Sequence, residues 1–211
     1  MAIDDLLDEH EQGEKVRTWL QANGIGLIGG VALGLALIGG WQWWQKQQER
    51  AQIQVGEHYQ AAEDSIHSRN LKQAQSLVAA LPHGTYATLA ALELAKAQLD
   101  AGQRDDAIAT LRKANAAEPA LAAVVTQRLA RLLIDAGKAG EALKILPAQS
   151  TDAETLQTRG DAQFALGHRD DARADYAQAL THMDVGAPQR RLVELKLSEV
   201  GGTSAKPEAK T

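Results

Sequence analysis

Residues Gly24 to Trp44, GIGLIGGVALGLALIGGWQWW, decide how the chain is organised. No residue between Thr18 and Gln45 carries a charge, and Ile25 to Trp41 is almost wholly apolar or glycine. At 1.5 Å per residue such a run crosses a hydrocarbon core about 30 Å thick as one helix. All four tryptophans of the chain flank it, Trp19 on one side and Trp41, Trp43 and Trp44 on the other. Trp19 and Trp41 stand about 33 Å apart along a helix, so their rings meet both lipid–water interfaces. A buried helix of a soluble domain rarely stays uncharged for so long. A cleaved signal peptide would need a basic start, a shorter apolar region and a small-x-small site, whereas an acidic segment precedes this run and WQWW ends it. The stretch reads as a single uncleaved membrane anchor.

Within the anchor, Gly26, Gly30 and Gly34 recur every fourth residue and share one helix face. Such faces let two backbones approach in lipid, where no hydrophobic force joins helices. The partner is either a second copy, making a homodimer, or the helix of another protein; glycine is also simply common in membrane helices. Ahead of the anchor, residues 3–20 carry Ile3, Leu6, Leu7, Val16, Trp19 and Leu20 at helical spacing with acids between them, a short amphipathic segment ending at residue 23. Lys15 and Arg17 on one side balance Lys46 and Arg50 on the other, so the count of cations leaves the orientation open.

Beyond the anchor the chain holds enough residues for one domain with a sizeable core. Aromatic residues make up 4% of the whole and alanine is abundant, which suits closely packed helices. Cysteine is absent, so no disulfide framework or thiolate metal site is available. The net charge of −5 arises mostly before residue 24, where six acids face two cations, and the near-neutral remainder has no electrostatic footprint for nucleic acid.

From about Val55 the sequence alternates helix-forming stretches with stops at Arg69–Asn70, Pro82–Gly84, Gly102, Pro119, Gly137, Pro147, Gly167 and Gly186–Pro188. No stretch alternates with period two. In residues 88–121, TLAALELAKAQLDAG leads into QRDDAIATLRKANAAEP, and Gly102 is followed by Ala107, Ile108, Leu111, Ala114 and Pro119. This resembles a 34-residue tetratricopeptide repeat. Gly137 with Ala142 and Leu143, and Gly167 with Ala172, Tyr176 and Ala179, repeat the pattern at spacings of 35 and 30 residues, the middle copy clipped at Pro147. Arg69 with Ala74 and Val78 marks a degenerate first copy. Residues 188–200 then read as a helix capping the stack, and residues 201–211 as a disordered tail. The expected fold is all-α: one N-terminal transmembrane helix at 24–44, then a tetratricopeptide-like solenoid of three to four helical hairpins within 45–200.

Chemistry is scarce. The six histidines form no i, i+4 metal pair and no H-E-x-x-H, and neither a nucleophile elbow nor a phosphate loop is present. No catalytic residue, metal or cofactor is assigned, and a hydrolase lacks its nucleophile. A solenoid instead offers the first helix of each pair on a concave face. By repeat position Leu92, Lys96, Leu99, Gln127, Arg131, Asp161 and Phe164 are expected there, with Lys96 and Arg131 stacked as a small basic patch or left as ordinary solvated charges. The lysine and asparagine set that clamps a peptide carboxylate in some such domains is not seen.

Several stretches together resemble the YfgM family, ancillary subunits of the bacterial SecYEG translocon. They are the lead-in E-Q-x-E-x-V-R-x-W-L-x-x-N-G from Glu11 to Gly24, the anchor ending IGGWQWW, Thr85–Tyr86 followed by LAALELA, QRLARLLID at 127–135, and RGDAQFALGHRDDARADY at 159–176. The resemblance covers nearly the whole chain except the tail. It implies an inner-membrane protein with residues 1–23 in the cytoplasm and the repeat domain in the periplasm. It also implies association with the Sec channel and with the membrane-anchored chaperone PpiD, in aid of newly exported proteins. A membrane-tethered scaffold for envelope assembly or cell division is the alternative use of the same architecture.

Overall fold

The computed structural model describes residues 4–114 and 116–203, with side chains from Gly13 onward except at Ala51. All regular structure among them is helical. Residues 1–54 and 55–211 form two separate compact units. Helix α1 runs Asp4–His67 and belongs to both. Nothing in its sequence stops it, since the first proline of the chain is Pro82. The glycines within it, among them Gly13, Gly24 and Gly56, all keep helical backbone rather than positive φ. From Asp4 onward the segment read as amphipathic is therefore continuous with the anchor, and Gly13 does not interrupt it. The side chains of Ile3, Leu6 and Leu7 lie outside the described residues, as does the tail from residue 204 onward.

Within the first unit, none of the described residues covers the anchor. Its apolar window has a mean hydropathy of 1.8 and is 0% buried. Ile25 is 90% exposed, and Ile28, Leu33, Leu35 and Leu37 are likewise open. A helix apolar all round with no protein neighbour matches a hydrocarbon solvent, where the helix satisfies its own backbone groups. At one end the rings of Trp41 and Trp44 lie 5.4 Å apart and tilted by 47°.

The second unit stacks helical hairpins. The end of α1 pairs with α2 (Leu71–Ala80), α3 (Thr85–Asp100) with α4 (Arg104–Lys113), α5 (Pro119–Asp135) with α6 (Ala139–Ile145), and α7 (Ala153–Ala165) with α8 (Arg169–His182). Helix α9 (Arg190–Glu199) lies against α8 and closes the series.

One backbone device ends the first helix of every hairpin and the closing helix α9 as well. Arg69, Gly102, Gly137, Gly167 and Gly201 all have φ between 59° and 81°. In each case the next residue's N–H donates to the carbonyl five residues back, from Asn70 to Ser65 at 2.9 Å through Gly202 to Leu197 at 2.9 Å. The N–H of the left-handed residue itself donates three back, as Gly102 does to Leu99. This is the Schellman arrangement, which suits glycine because no Cβ opposes the positive φ. The degenerate first copy keeps the geometry with Arg69, at a strain of roughly 1–2 kcal/mol.

Five residues beyond each of the first four caps stands an alanine, Ala74, Ala107, Ala142 and Ala172, each 0% exposed. Seven residues before the same caps stand Ala62, Ala95, Ala130 and Gly160, all buried. Small residues at matched register let the paired helices cross closely. The last hairpin compensates in kind. Where the others place Val78, Leu111 and Leu146, it has Tyr176, and a Cβ on Gly160 would fall 2.5 Å from the tyrosine ring. At this register α9 has Glu194 rather than a small residue.

The clipped repeat has a physical substitute for its missing length. Arg159 occupies the position of the buried Leu94 and Leu129. Its guanidinium donates to the Pro147 carbonyl at 3.1 Å and lies 3.6 Å from Asp175, both side chains 14% exposed. A charged pair thus bridges α7, α8 and the end of α6. Burial raises the Asp175 carboxyl above its ordinary value, although Arg159 pulls it back down.

Two outcomes follow from these backbone and packing constraints. Gly160→Ala must push the Tyr176 ring out of place and lowers stability by about 1–3 kcal/mol in chemical denaturation, and a Tyr176→Leu change in the same chain recovers part of the loss. Arg69→Gly removes the left-handed strain but adds unfolded-state freedom, so the same measurement shows a net gain of about 0.5 kcal/mol.

Candidate partner-binding groove

Successive first helices pack along one side of the stack, α3 against α5 and α5 against α7, the side on which a repeat solenoid presents its concave face. Their register, counted from each left-handed cap, fixes which side chains turn inward. Helix boundaries alone do not fix which of these remain open.

Of the residues expected on this face, Leu92 is 6% exposed and belongs to the main core. Leu99 packs against that same cluster, and Phe164 against the cluster around Leu156 and Tyr176. Gln127 is also buried, its Nε2 donating to Thr155 Oγ1 at 2.7 Å while its Oε1 has no partner. Leu92 and Gln127 are thus buried, while Leu99 and Phe164 are half-buried. Lys96 and Arg131 are exposed. Arg131 pairs with Glu154 on α7 at 2.8 Å, so its charge is compensated within the stack rather than added to that of Lys96. Asp161 lies in a network: Lys196 of α9 reaches its two oxygens at 2.7 and 2.8 Å, and the Tyr176 hydroxyl donates to it at 2.8 Å. Burial first, and the bond to Asp161 second, raise the Tyr176 phenol above its ordinary value.

A recess lies among α1, α2 and α3 of the repeat unit. A cleft of about 790 Å³ is bounded by Ile66 and His67 of α1, Lys72 of α2, and Glu93, Lys96 and Asp100 of α3. Beside it the rings of Tyr59 and Tyr86 meet at 5.2 Å, tilted by 51°. The Tyr59 hydroxyl donates to Glu63 Oε1 at 2.7 Å, and burial together with this bond raises its ionisation. Glu93 of α3 is half-buried at the edge of the cleft. Burial is the main reason its carboxyl is raised and Glu63 the next, while His67 and Lys96 act in the opposite sense. Reading the sequence for the groove missed Tyr59, Glu63, Tyr86 and Glu93. Counting back from Arg69 as a cap would have placed Tyr59 and Glu63 at the positions that Leu92 and Lys96 hold one repeat later.

A smaller recess of about 230 Å³ opens between α2, α3 and α4, lined by Val78, Leu81, Ala91 and Leu94 among others. In the anchor unit, a Cβ placed on Gly26, Gly30 or Gly34 meets nothing within 4 Å, so that face is open. Among the described residues no group of three or more histidine, aspartate and glutamate side chains is arranged to hold a metal ion.

Comparison with known proteins agrees with this architecture. The family model for a tetratricopeptide repeat-like domain matches residues 17–202. A protein of Escherichia coli named an ancillary SecYEG translocon subunit is 28% identical over 200 residues, covering 92% of this chain and 97% of its own length. Proteins of the same name from Haemophilus influenzae and Aggregatibacter actinomycetemcomitans are 26% and 24% identical, covering 82% and 92% of this chain and 89% and 98% of theirs. No solved structure gives a significant match. With a family model spanning anchor and repeats, and relatives that share nearly its full length, the chain belongs to the tetratricopeptide repeat-like domain family and to the YfgM family that its sequence resembles.

Proposed function

We propose that the chain is a non-catalytic adaptor of the bacterial inner membrane, associated with the SecYEG translocon, that engages the periplasmic chaperone PpiD and helps newly exported proteins. The observation that carries this reading is the joining, in one chain, of an uncovered apolar helix to a stack of hairpins with an open inner cleft. The name shared by the three relatives supplies the membrane partner. Residues 1–23 then lie in the cytoplasm, residues 24–44 span the lipid, and residues 45–200 form the periplasmic repeat domain.

Two surfaces divide the work in this proposal. The glycine face of Gly26, Gly30 and Gly34 docks the anchor against a helix of the channel, or against a second copy. The inner groove holds the chaperone's periplasmic part, with Lys96 and Arg131 as its exposed cations, Asp161 within its wall, and Leu92, Leu99, Gln127 and Phe164 supporting it from beneath. In lipid only close packing and hydrogen bonds favour association, so a leucine at Gly30 separates the helices, whereas reversing one solvated charge matters only where a partner sits.

Purification in mild detergent followed by partner identification tests the whole reading. Gly30→Leu is expected to lose the channel by about tenfold or more while leaving the helicity of the repeats unchanged. Arg131→Glu is expected to weaken chaperone recovery instead. Full recovery of both partners by the double mutant would sink both surfaces. Recovery of envelope-assembly or division proteins, without channel or chaperone, would favour the scaffold alternative. Topology has its own check: a reporter active only after export, fused at the C-terminus, is active, and protease added to spheroplasts digests the chain beyond residue 50.

A further inference from the structure

From the second repeat on, the residue eight positions before the left-handed cap is where one hairpin meets the next. Leu94 of α3 lies in one apolar cluster with Ile66 and Ala74 of the first hairpin. Leu129 of α5 shares a cluster with Ile108 and Leu111 of the second, and Val193 of α9 shares one with Tyr176 of the last. In α7 this position holds Arg159. Among the described residues, α7 gives the central cluster only Ala162, while its Leu156 and Phe164 belong to the cluster it forms with α8 and α9. The apolar core is therefore interrupted at one junction.

Polar groups fill the gap. From α5, Gln127 bonds to Thr155 and Arg131 to Glu154, and Arg159 reaches back to the Pro147 carbonyl beyond the end of α6. Thr158 is fully buried beside them in sequence. Among the described residues two buried polar atoms stay without a partner here, one on each side of the junction: Gln127 Oε1 and Arg159 Nε. A polar atom taken from water without a replacement bond weakens the contact that buries it. Beyond the junction the elements are bound to one another. Arg173 Nε donates to the Val200 carbonyl at 3.0 Å, Arg190 Nη1 to the Leu180 carbonyl at 2.9 Å, and Lys196 holds Asp161 at 2.7 Å.

We propose that α7, α8 and α9 form a module that opens as one unit from the rest of the stack, along the polar seam that α7 makes with α5 and α6. In a repeat stack each hairpin touches only its neighbours, so the weakest junction sets where the stack parts. Local opening in contiguous units is the general behaviour of folded chains. Helices α7 and α9 carry one end of the inner face, so opening remodels that end while α3 to α6 stay folded. The module is a property of the stack and does not depend on what the groove binds.

Hydrogen exchange of the full chain in detergent, read by mass spectrometry over a series of low denaturant concentrations, tests this. Amides of residues 153–199 are expected to exchange together, about tenfold or more faster than those of residues 85–145. Gly160→Ala crowds Tyr176 inside the module, so it speeds exchange in 153–199 and leaves 85–145 unchanged. Arg159→Leu combined with Asp175→Ile installs the residue types that Leu129 and Ile145 supply one repeat earlier, and the gap between the two groups closes. One exchange rate across 85–199 in the unaltered chain overturns the module. So does an equal rise in both groups on Gly160→Ala, or a gap that persists in the folded double variant. If the double variant does not fold, the unaltered chain and Gly160→Ala decide the matter alone.

Discussion

Two helices can cross at their closest only where neither carries much more than a methyl group, and the repeat unit is built on that limit. Ala62, Ala95, Ala130 and Gly160 stand at the crossings on one side, with Ala74, Ala107, Ala142 and Ala172 on the other. Crossings this close need short, fixed turns, which the left-handed caps at Arg69, Gly102, Gly137 and Gly167 supply. Leucines then fill the spaces between hairpins, among them Leu94, Leu111, Leu129 and Leu133. The one exception shows that the limit is steric. Where a tyrosine enters at 176, the partner residue loses even its methyl group.

The anchor uses glycine under the opposite constraint. In water, the glycine-rich run of α1 would be a poor helix, at roughly 1 kcal/mol per glycine relative to alanine. In lipid an unpaired backbone group costs several kcal/mol, so the helix is enforced whatever its propensity. The same residue type thus serves two purposes in one chain. In the repeats it permits positive φ at a turn, and in the anchor it leaves a face open without altering the backbone.

This difference explains what the sequence made legible. Small residues at fixed distances from a glycine are a local signal, so the hairpins near Gly102, Gly137 and Gly167 and the final helix could be read directly, and the uncharged run with its flanking tryptophans marked the anchor. The first hairpin was fainter because Arg69 adopts a conformation that its side chain does not advertise. The groove was less legible still. Periodicity locates the inner face of a helix but not how far its neighbours lean over it, so Leu92 and Gln127 have the right register yet are buried. Nor does it reveal cross-repeat partners. Arg131 finds Glu154, 23 residues on, and Asp161 finds Lys196, 35 residues on, at separations set by how the clipped repeat seats itself. Arg159 is the plainest case: a cation in a leucine position makes sense only once the Pro147 carbonyl and Asp175 are seen beside it.

The charges of the inner seam suit recognition better than stability. Arg131 and Glu154 are each about half exposed, at 48% and 55%, and a pair so solvated adds at most about 1 kcal/mol. Asp161 and Lys196 are more enclosed and share a tyrosine, so they fasten the capping helix to the last hairpin. Compensation is therefore greatest at the capped end of the stack and least at the α1 end, where Lys96 and Glu93 border the cleft. A ligand group of either sign entering there meets side chains that the fold has not already satisfied. At the capped end it would first have to displace an internal partner. The free energy of exchanging one ion pair for another is small, whereas engaging an unsatisfied group is a net gain. By that argument the α1 end of the groove is the part of the repeat unit best prepared to bind.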